Sequence, residues 1–191
     1  MADENVETGL IGGDEKLQIQ IVDYDAGWPK KFEVHARVIA EALRRTALRL
    51  EHIGSTSVPG LAAKPIIDIL VVVQNSADES SYLSRLEAAG YILRVREPDW
   101  NEHRMFRTYE KDVHVHVYSV DCVEIQRVLT FRDRLRINLD DRRRYEQTKR
   151  ELAAREWSDM DAYAEAKTEV IESIITHCDN LTKPIDDPST R

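Results

Sequence analysis

Cysteine, long apolar runs and surplus positive charge are all scarce in this chain, and each scarcity excludes something. The only two cysteines among its 191 residues, Cys122 and Cys178, lie far apart and lack CxxC partners, so neither a disulfide framework nor a zinc knuckle is supported. No run approaches the roughly 18 to 20 apolar residues of a membrane span. The opening Met1-Ala2-Asp3-Glu4-Asn5 lacks the basic-then-apolar order of a signal peptide, which makes cytoplasmic residence the expectation. With 27 Lys and Arg against 35 Asp and Glu, the formal net charge is −8. That argues against general nucleic-acid binding, because contacts to backbone phosphates need excess Lys and Arg.

What is present suffices for a folded domain: 42% of the residues are hydrophobic. Residues 1–16, rich in acids and glycines, read as a disordered leader, and 178–191 as a flexible tail. Between them, residues 17–177 read as one α+β domain that becomes helical from about residue 124. Strands are expected at Leu17–Val22, Ala47–Ile53, Ile66–Val73, Tyr91–Val95, His103–Tyr109 and Val113–Tyr118. A helix is expected to start near Trp28-Pro29, and a second, carrying Tyr82, Leu83 and Leu86, to stop at Gly90. Three more follow at Glu124–Arg136, Asp140–Arg155 and Ser158–His177, with Asp140 and Ser158 as N-caps. Arg132, Arg134, Arg136, Arg142, Arg143, Arg144, Lys149 and Arg150 make this part basic, either as a solvated helix face or as a wall facing an anionic ligand.

One stretch stands out chemically. Ile66–Val73 is continuously apolar, as in a strand buried on both faces, except for Asp68. A buried carboxylate is costly unless paired, so Asp68 is either a structural ion pair or a functional group. Upstream, Gly54-Ser55-Thr56-Ser57 follows a strand, where glycine permits close backbone approach and the next residues offer hydroxyl and N–H groups to phosphate oxygens. Lys64 adds a cation. Downstream, His114, His116 and Tyr118 share one face of a strand. If that strand lies beside Asp68, the two imidazoles and the carboxylate form a three-ligand metal site, with His52 as a fourth candidate. A histidine ladder without metal is the alternative. Arg104 and Arg107 are suited either to gripping an anion or to surface salt bridges.

The run from Glu51-His52-Ile53-Gly54-Ser55-Thr56-Ser57-Val58-Pro59-Gly60 through Lys64-Pro65-Ile66-Ile67-Asp68 closely resembles the signature of the GrpB family. Tyr24–Pro29, Glu97–Trp100, His103–Arg107, Asp112–Val117, Phe131–Asp133 and Tyr163–Lys167 are similar to its later landmarks. The resemblance implies a nucleotidyltransferase-like mixed β-sheet flanked by helices with a C-terminal helical layer, a domain also found fused to dephospho-CoA kinase. It further implies that Tyr163 and Lys167, and by analogy Lys149 four residues after Tyr145, contact nucleotide phosphates; simple i,i+4 packing is the alternative for either pair. Nucleotidyltransferases pair two acids one residue apart, whereas here the residues two away from Asp68 are Ile66 and Leu70.

The reaction implied is transfer of a nucleotidyl group from a nucleoside triphosphate to a small-molecule acceptor. Gly54, Ser55, Thr56, Ser57, Lys64, Arg104, Arg107, Lys149, Tyr163 and Lys167 are the expected phosphate contacts, and Asp68, His114 and His116 the catalytic or metal-binding groups. The ion is expected to be magnesium or manganese for nucleotidyl transfer, or zinc or iron if the histidines ligate. The alternatives are a non-catalytic nucleotide- or anion-binding module, and a metal-assisted enzyme using the His114/His116 face.

Overall fold

The computed structural model describes residues 7–13, 19–157 and 160–182. Its centre is a six-stranded mixed sheet in the order β1-β4-β5-β6-β3-β2. The strands are β1 (Gly9–Leu10), β2 (Arg49–Ile53), β3 (Ile67–Val73), β4 (Ile92–Glu97), β5 (His103–Arg107) and β6 (Val113–Ser119). Among the described residues only β3 and β6 pair in parallel. The helices are α1 (Trp28–Leu43), α2 (Leu83–Ala88), α3 (Val123–Ile137), α4 (Leu139–Ala153), α5 (Met160–Glu165) and α6 (Thr168–Thr182). The architecture is the α+β class expected, with helices on the sheet and a helical C-terminal layer.

Alternation along the strands assigns the two faces. Ile67, Ile69, Val71 and Val73 of β3 meet Val113, Val115 and Val117 of β6 in the main core, which Ile39 and Leu43 of α1 and Leu86 of α2 cover. Leu70, Val72 and Tyr118 look the other way, against Ile125 and Leu129 of α3. Every residue of β3 except Asp68 is buried, since both faces are covered. Farther out, Leu135, Tyr145, Val170 and Ile174 from α3, α4 and α6 pack with Val58 and Leu61. This third cluster draws the helical layer over the loop between β2 and β3.

Several expectations need correction. Most of the leader lies outside the described residues, but Gly9–Leu10 is a strand paired with β4. Arg94, buried to 6% exposure, holds that segment by donating to the carbonyls of Ile11 and Gly13. The expected strand at Leu17–Val22 survives in its described part only as one antiparallel bridge, Val22 with Ala63. The last helix breaks in two at Ala166-Lys167, where Lys167 N–H bonds Ala164 three residues back and tightens the turn. Its second half runs past His177 to Thr182, so the tail begins as helix. Asn138, not Asp140, caps α4, accepting from Asp141 N–H at 2.8 Å. Ser158 lies outside the described residues.

Candidate functional site

The site begins where β2 turns into a short 3₁₀ segment, Ser55–Ser57. Gly54 takes φ +67°, and a Cβ there would stand 2.2 Å from Asp68 Oδ2, so the glycine is demanded both by conformation and by the carboxylate it faces. Ser57 Oγ donates to Gly54 O at 2.6 Å, closing the turn. Thr56 is buried between Ile66 O, to which it donates at 3.0 Å, and His52 Nε2 at 3.1 Å. Arg136 donates to Ser57 O at 2.9 and 3.1 Å. The hydroxyls of Thr56 and Ser57 are therefore structural, which leaves Gly54 and Ser55 as the part of the turn fit to meet a ligand. Ser55 is hydrogen-bonded to buried Tyr145, whose phenol pKa burial pushes up and Ser55 pulls back.

Parallel pairing of β3 and β6 sets Asp68 opposite His114 and Leu70 opposite His116. All four project on one face. Asp68 Oδ1 lies 3.6 Å from His114 Nδ1 and 3.5 Å from His116 Nε2, with each of the three side chains about a quarter exposed. These ligand atoms lie within 4.8 Å of one another, so the residues can hold a metal ion. Burial pushes the Asp68 pKa up, but hydrogen bonds and charge from His114 and His116 outweigh it and hold the carboxyl well below the usual range. Asp68 is thus an anion at neutral pH, facing imidazoles.

Beyond this trio, His103 at the head of β5 bridges His116 to an acid that the sequence reading did not single out. Its Nε2 lies 3.1 Å from His116 Nδ1, and its Nδ1 lies 2.7 Å from Glu97 Oε2. His103 stacks on Tyr118 with ring centroids 4.7 Å apart. Its pKa falls to about 3, through burial first and then the neighbouring His116 and Arg104. One signal in the sequence was available: a tight hairpin at 108–112 puts His103, Met105 and Arg107 on the face of His114 and His116.

Three lysines gather on the helical side. Lys64 Nζ and Lys167 Nζ lie 5.4 and 4.6 Å from the centroid of the same buried ring, Tyr163, while Lys149 Nζ lies 4.8 Å from that of Tyr145. Lys167 follows Tyr163 by four residues, the spacing that sets two side chains on one helical face, whereas Lys64 reaches the ring from the segment before β3. Burial lowers the pKa of Lys64, against the pull of Asp68. Lys167 falls to about 8, through burial and the charge of Lys64, with Asp68 opposing. Lys149 falls to about 7, through burial and Lys167, and it donates to Ala62 O at 2.5 Å. Burial is the largest cause of all three shifts, and an anion bound among the lysines would offset it.

Other candidates lie elsewhere. His52 is on the core face of β2, stacked on Phe32 with centroids 4.7 Å apart, and is withdrawn from the metal set. Arg104 pairs with Val117, not with a histidine, and so points to the face opposite Asp68; there it donates to Glu79 Oε1 at 2.6 Å. It is not a phosphate contact at this site. Arg107 lies opposite His114 and on its face. Much of the basic segment is spent inside the chain: Arg132 donates to Glu51 and His52 O, Arg134 to Asp141, and Arg127 to Glu124 and Glu172. Those arginines fasten helices rather than face an anion.

A family model described as GrpB protein matches residues 18–177. The chain belongs to the GrpB family. A UPF0157 protein of Halalkalibacterium halodurans is 47% identical over 175 residues, 91% of this chain and 90% of that one. One from Streptomyces coelicolor is 51% identical over 165 residues, 86% and 87% of the two chains. A crystal structure of conserved protein GrpB from Enterococcus faecalis, 33% identical, superposes with a TM-score of 0.73 over 83% of this chain and 99% of that one. Among the described residues no helix is long and apolar enough to cross a membrane.

Proposed function

We propose that this GrpB family member is a metal-assisted enzyme for a phosphorylated small molecule, and that it transfers a nucleotidyl group from a nucleoside triphosphate to a small-molecule acceptor. The observation that carries the reading is the meeting of an Asp68/His114/His116 trio with half-buried Lys64 and Lys167, behind which lies buried Lys149. Lysines that burial drives toward neutrality are recharged by a polyphosphate, and phosphoryl chemistry asks a protein mainly to position charge. The nucleotidyltransferase-like fold implied by the GrpB resemblance supports a nucleotide as the phosphate donor.

In this reading Lys64 and Lys167 bind the phosphates, Gly54 and Ser55 approach them through the backbone, and Lys149, behind Ala62, supports them electrostatically. A divalent ion on Asp68, His114 and His116 would supply Lewis-acid charge to a phosphoryl oxygen. The acceptor oxygen forms a bond to the α-phosphorus as the bond to pyrophosphate breaks. The negative charge of the leaving pyrophosphate is met by the lysines, and the acceptor proton passes to solvent.

One observation favours a second reading, an anion-binding module without turnover: Ile66 and Leu70 flank Asp68, so no second carboxylate joins it on the strand. Incubation with ATP, GTP, CTP and UTP, each with magnesium, manganese or zinc, separates the two. Pyrophosphate release that disappears in Asp68→Asn sustains the enzyme. Calorimetric binding with no release sustains the module, and neither binding nor release sinks both.

A further inference from the structure

A chain of contacts runs from Glu97 through His103 to His116 and orients the ring that faces Asp68. A carboxylate only accepts, so at 2.7 Å from Glu97 Oε2 the Nδ1 of His103 carries hydrogen. His103 is 6% exposed, packed edge-on to Trp100 and stacked on Tyr118, so its ring is fixed in place. Its Nε2 meets His116 Nδ1 at 3.1 Å, which engages that nitrogen of His116 within the chain. The other nitrogen, Nε2, is the one presented to the trio, 3.5 Å from Asp68 Oδ1. A metal ion bound there would take the place of the proton that His116 shares with Asp68, leaving hydrogen on Nδ1 to meet His103.

We infer that Glu97 and His103 are positioning residues that present His116 Nε2 as a metal ligand, and that the ion is a zinc-class divalent transition metal rather than magnesium. The inference rests on Asp68, His114 and His116 being the metal-binding trio of the proposed function. Two ligand atoms on a tetrahedral ion with bonds of about 2.0–2.1 Å lie roughly 3.4 Å apart. Two of the trio's edges, 3.5 and 3.6 Å from Asp68 Oδ1, lie close to that length, and the third is within 4.8 Å. Octahedral magnesium, with bonds of about 2.0–2.1 Å, sets neighbouring ligands at roughly 2.9 Å and favours oxygen donors. An acid orienting a histidine behind a ligating histidine extends the carboxylate–histidine–metal arrangement by one ring.

The test uses the full chain, ¹⁵N-labelled and freed of metal. Long-range ¹H–¹⁵N correlation during zinc titration is expected to shift the Nε2 resonance of His116 and to leave zinc-bound His116 as the Nδ1–H tautomer. Calorimetry is expected to give zinc binding at least a hundredfold tighter than magnesium. Glu97→Gln, nearly isosteric, and His103→Gln, as an independent break in the relay, should each weaken zinc about 10–100-fold and abolish the single tautomer of His116. Circular dichroism and urea unfolding identify any variant that has lost its fold. Zinc bound equally by wild type and both folded variants, or zinc-bound His116 found as Nε2–H, overturns the positioning role while leaving the trio as a metal site. No zinc binding by wild type, or magnesium bound as tightly, overturns the metal assignment, and absence of every ion overturns the trio with it. Nucleotide binding to the lysines, measured separately without metal, keeps that outcome distinct from failure of the phosphate site.

Discussion

Gly54 and Asp68 compete for one space: a methyl group on Gly54 would come within 2.2 Å of Asp68 Oδ2 and 3.0 Å of its Cβ. The turn and the carboxylate are therefore a single unit, although 14 residues separate them in sequence. Gly54→Ala is expected to destabilise the fold by about 1–3 kcal/mol, through positive φ and displacement of Asp68. It should weaken metal binding as well. Urea unfolding with parallel zinc calorimetry checks both, and a variant as stable as wild type would count against this coupling.

The lysine cluster gives phosphate binding a pH signature. Lys149 and Lys167 titrate near 7 and 8, and a bound anion raises both values. Nucleotide affinity should fall as pH rises from 6.5 to 9, by up to about tenfold per unit for each lysine that has lost its proton. Binding near pH 8 should take up protons, visible as a dependence of calorimetric enthalpy on buffer ionisation. Lys167→Gln should flatten the profile.

His52 predicts acid sensitivity. Burial, with the charges of Arg136 and Arg132 and against Asp68, lowers its pKa from 6.5 to about 4. Between these values the unfolded chain binds more protons, so stability is constant above about pH 6.5 and falls as pH drops toward 4. The loss from this residue is on the order of 3 kcal/mol. His52→Gln should remove that part of the slope in urea midpoints measured from pH 7.5 to 4.5.

Arg104 separates fold from function. It shares Glu79 with Arg96 on the face away from Asp68, where its side chain is 5% exposed. Arg104→Met should cost about 1.5–3 kcal/mol of stability by removing one of the two arginines on Glu79, Arg96 remaining on both carboxylate oxygens. Phosphate and zinc affinities should stay within twofold of wild type, and a tenfold loss in a folded variant would restore Arg104 to the site.

Asp68→Asn keeps the shape and removes the charge. It should weaken zinc by more than a hundredfold and stop pyrophosphate release, while metal-free nucleotide binding persists or tightens, because the lysines lose a competing anion.

Local pattern made much of this legible. The unbroken apolar run around Asp68 announced a strand covered on both faces, and the His-x-His alternation put His114 and His116 on one side whatever the surroundings. Period-3.6 spacing found α3 and α4 to within about two residues of their ends. The run from Glu51 to Asp68 identified the family. Local period is silent, however, about which strand lies beside which. Parallel pairing of β3 with β6 brought Asp68 to the histidines, and the β4–β5–β6 register brought in His103 and Glu97. The same register turned Arg104 away.

The sequence by itself thus determined the family, the elements and the residues able to do chemistry, because turn chemistry and side-chain period act over a few neighbouring residues. The tertiary structure alone decided which of those residues meet. Distant contacts depend on strand neighbours, on register, and on the packing that brings Lys64 to the same ring as Lys167, and no local pattern encodes these.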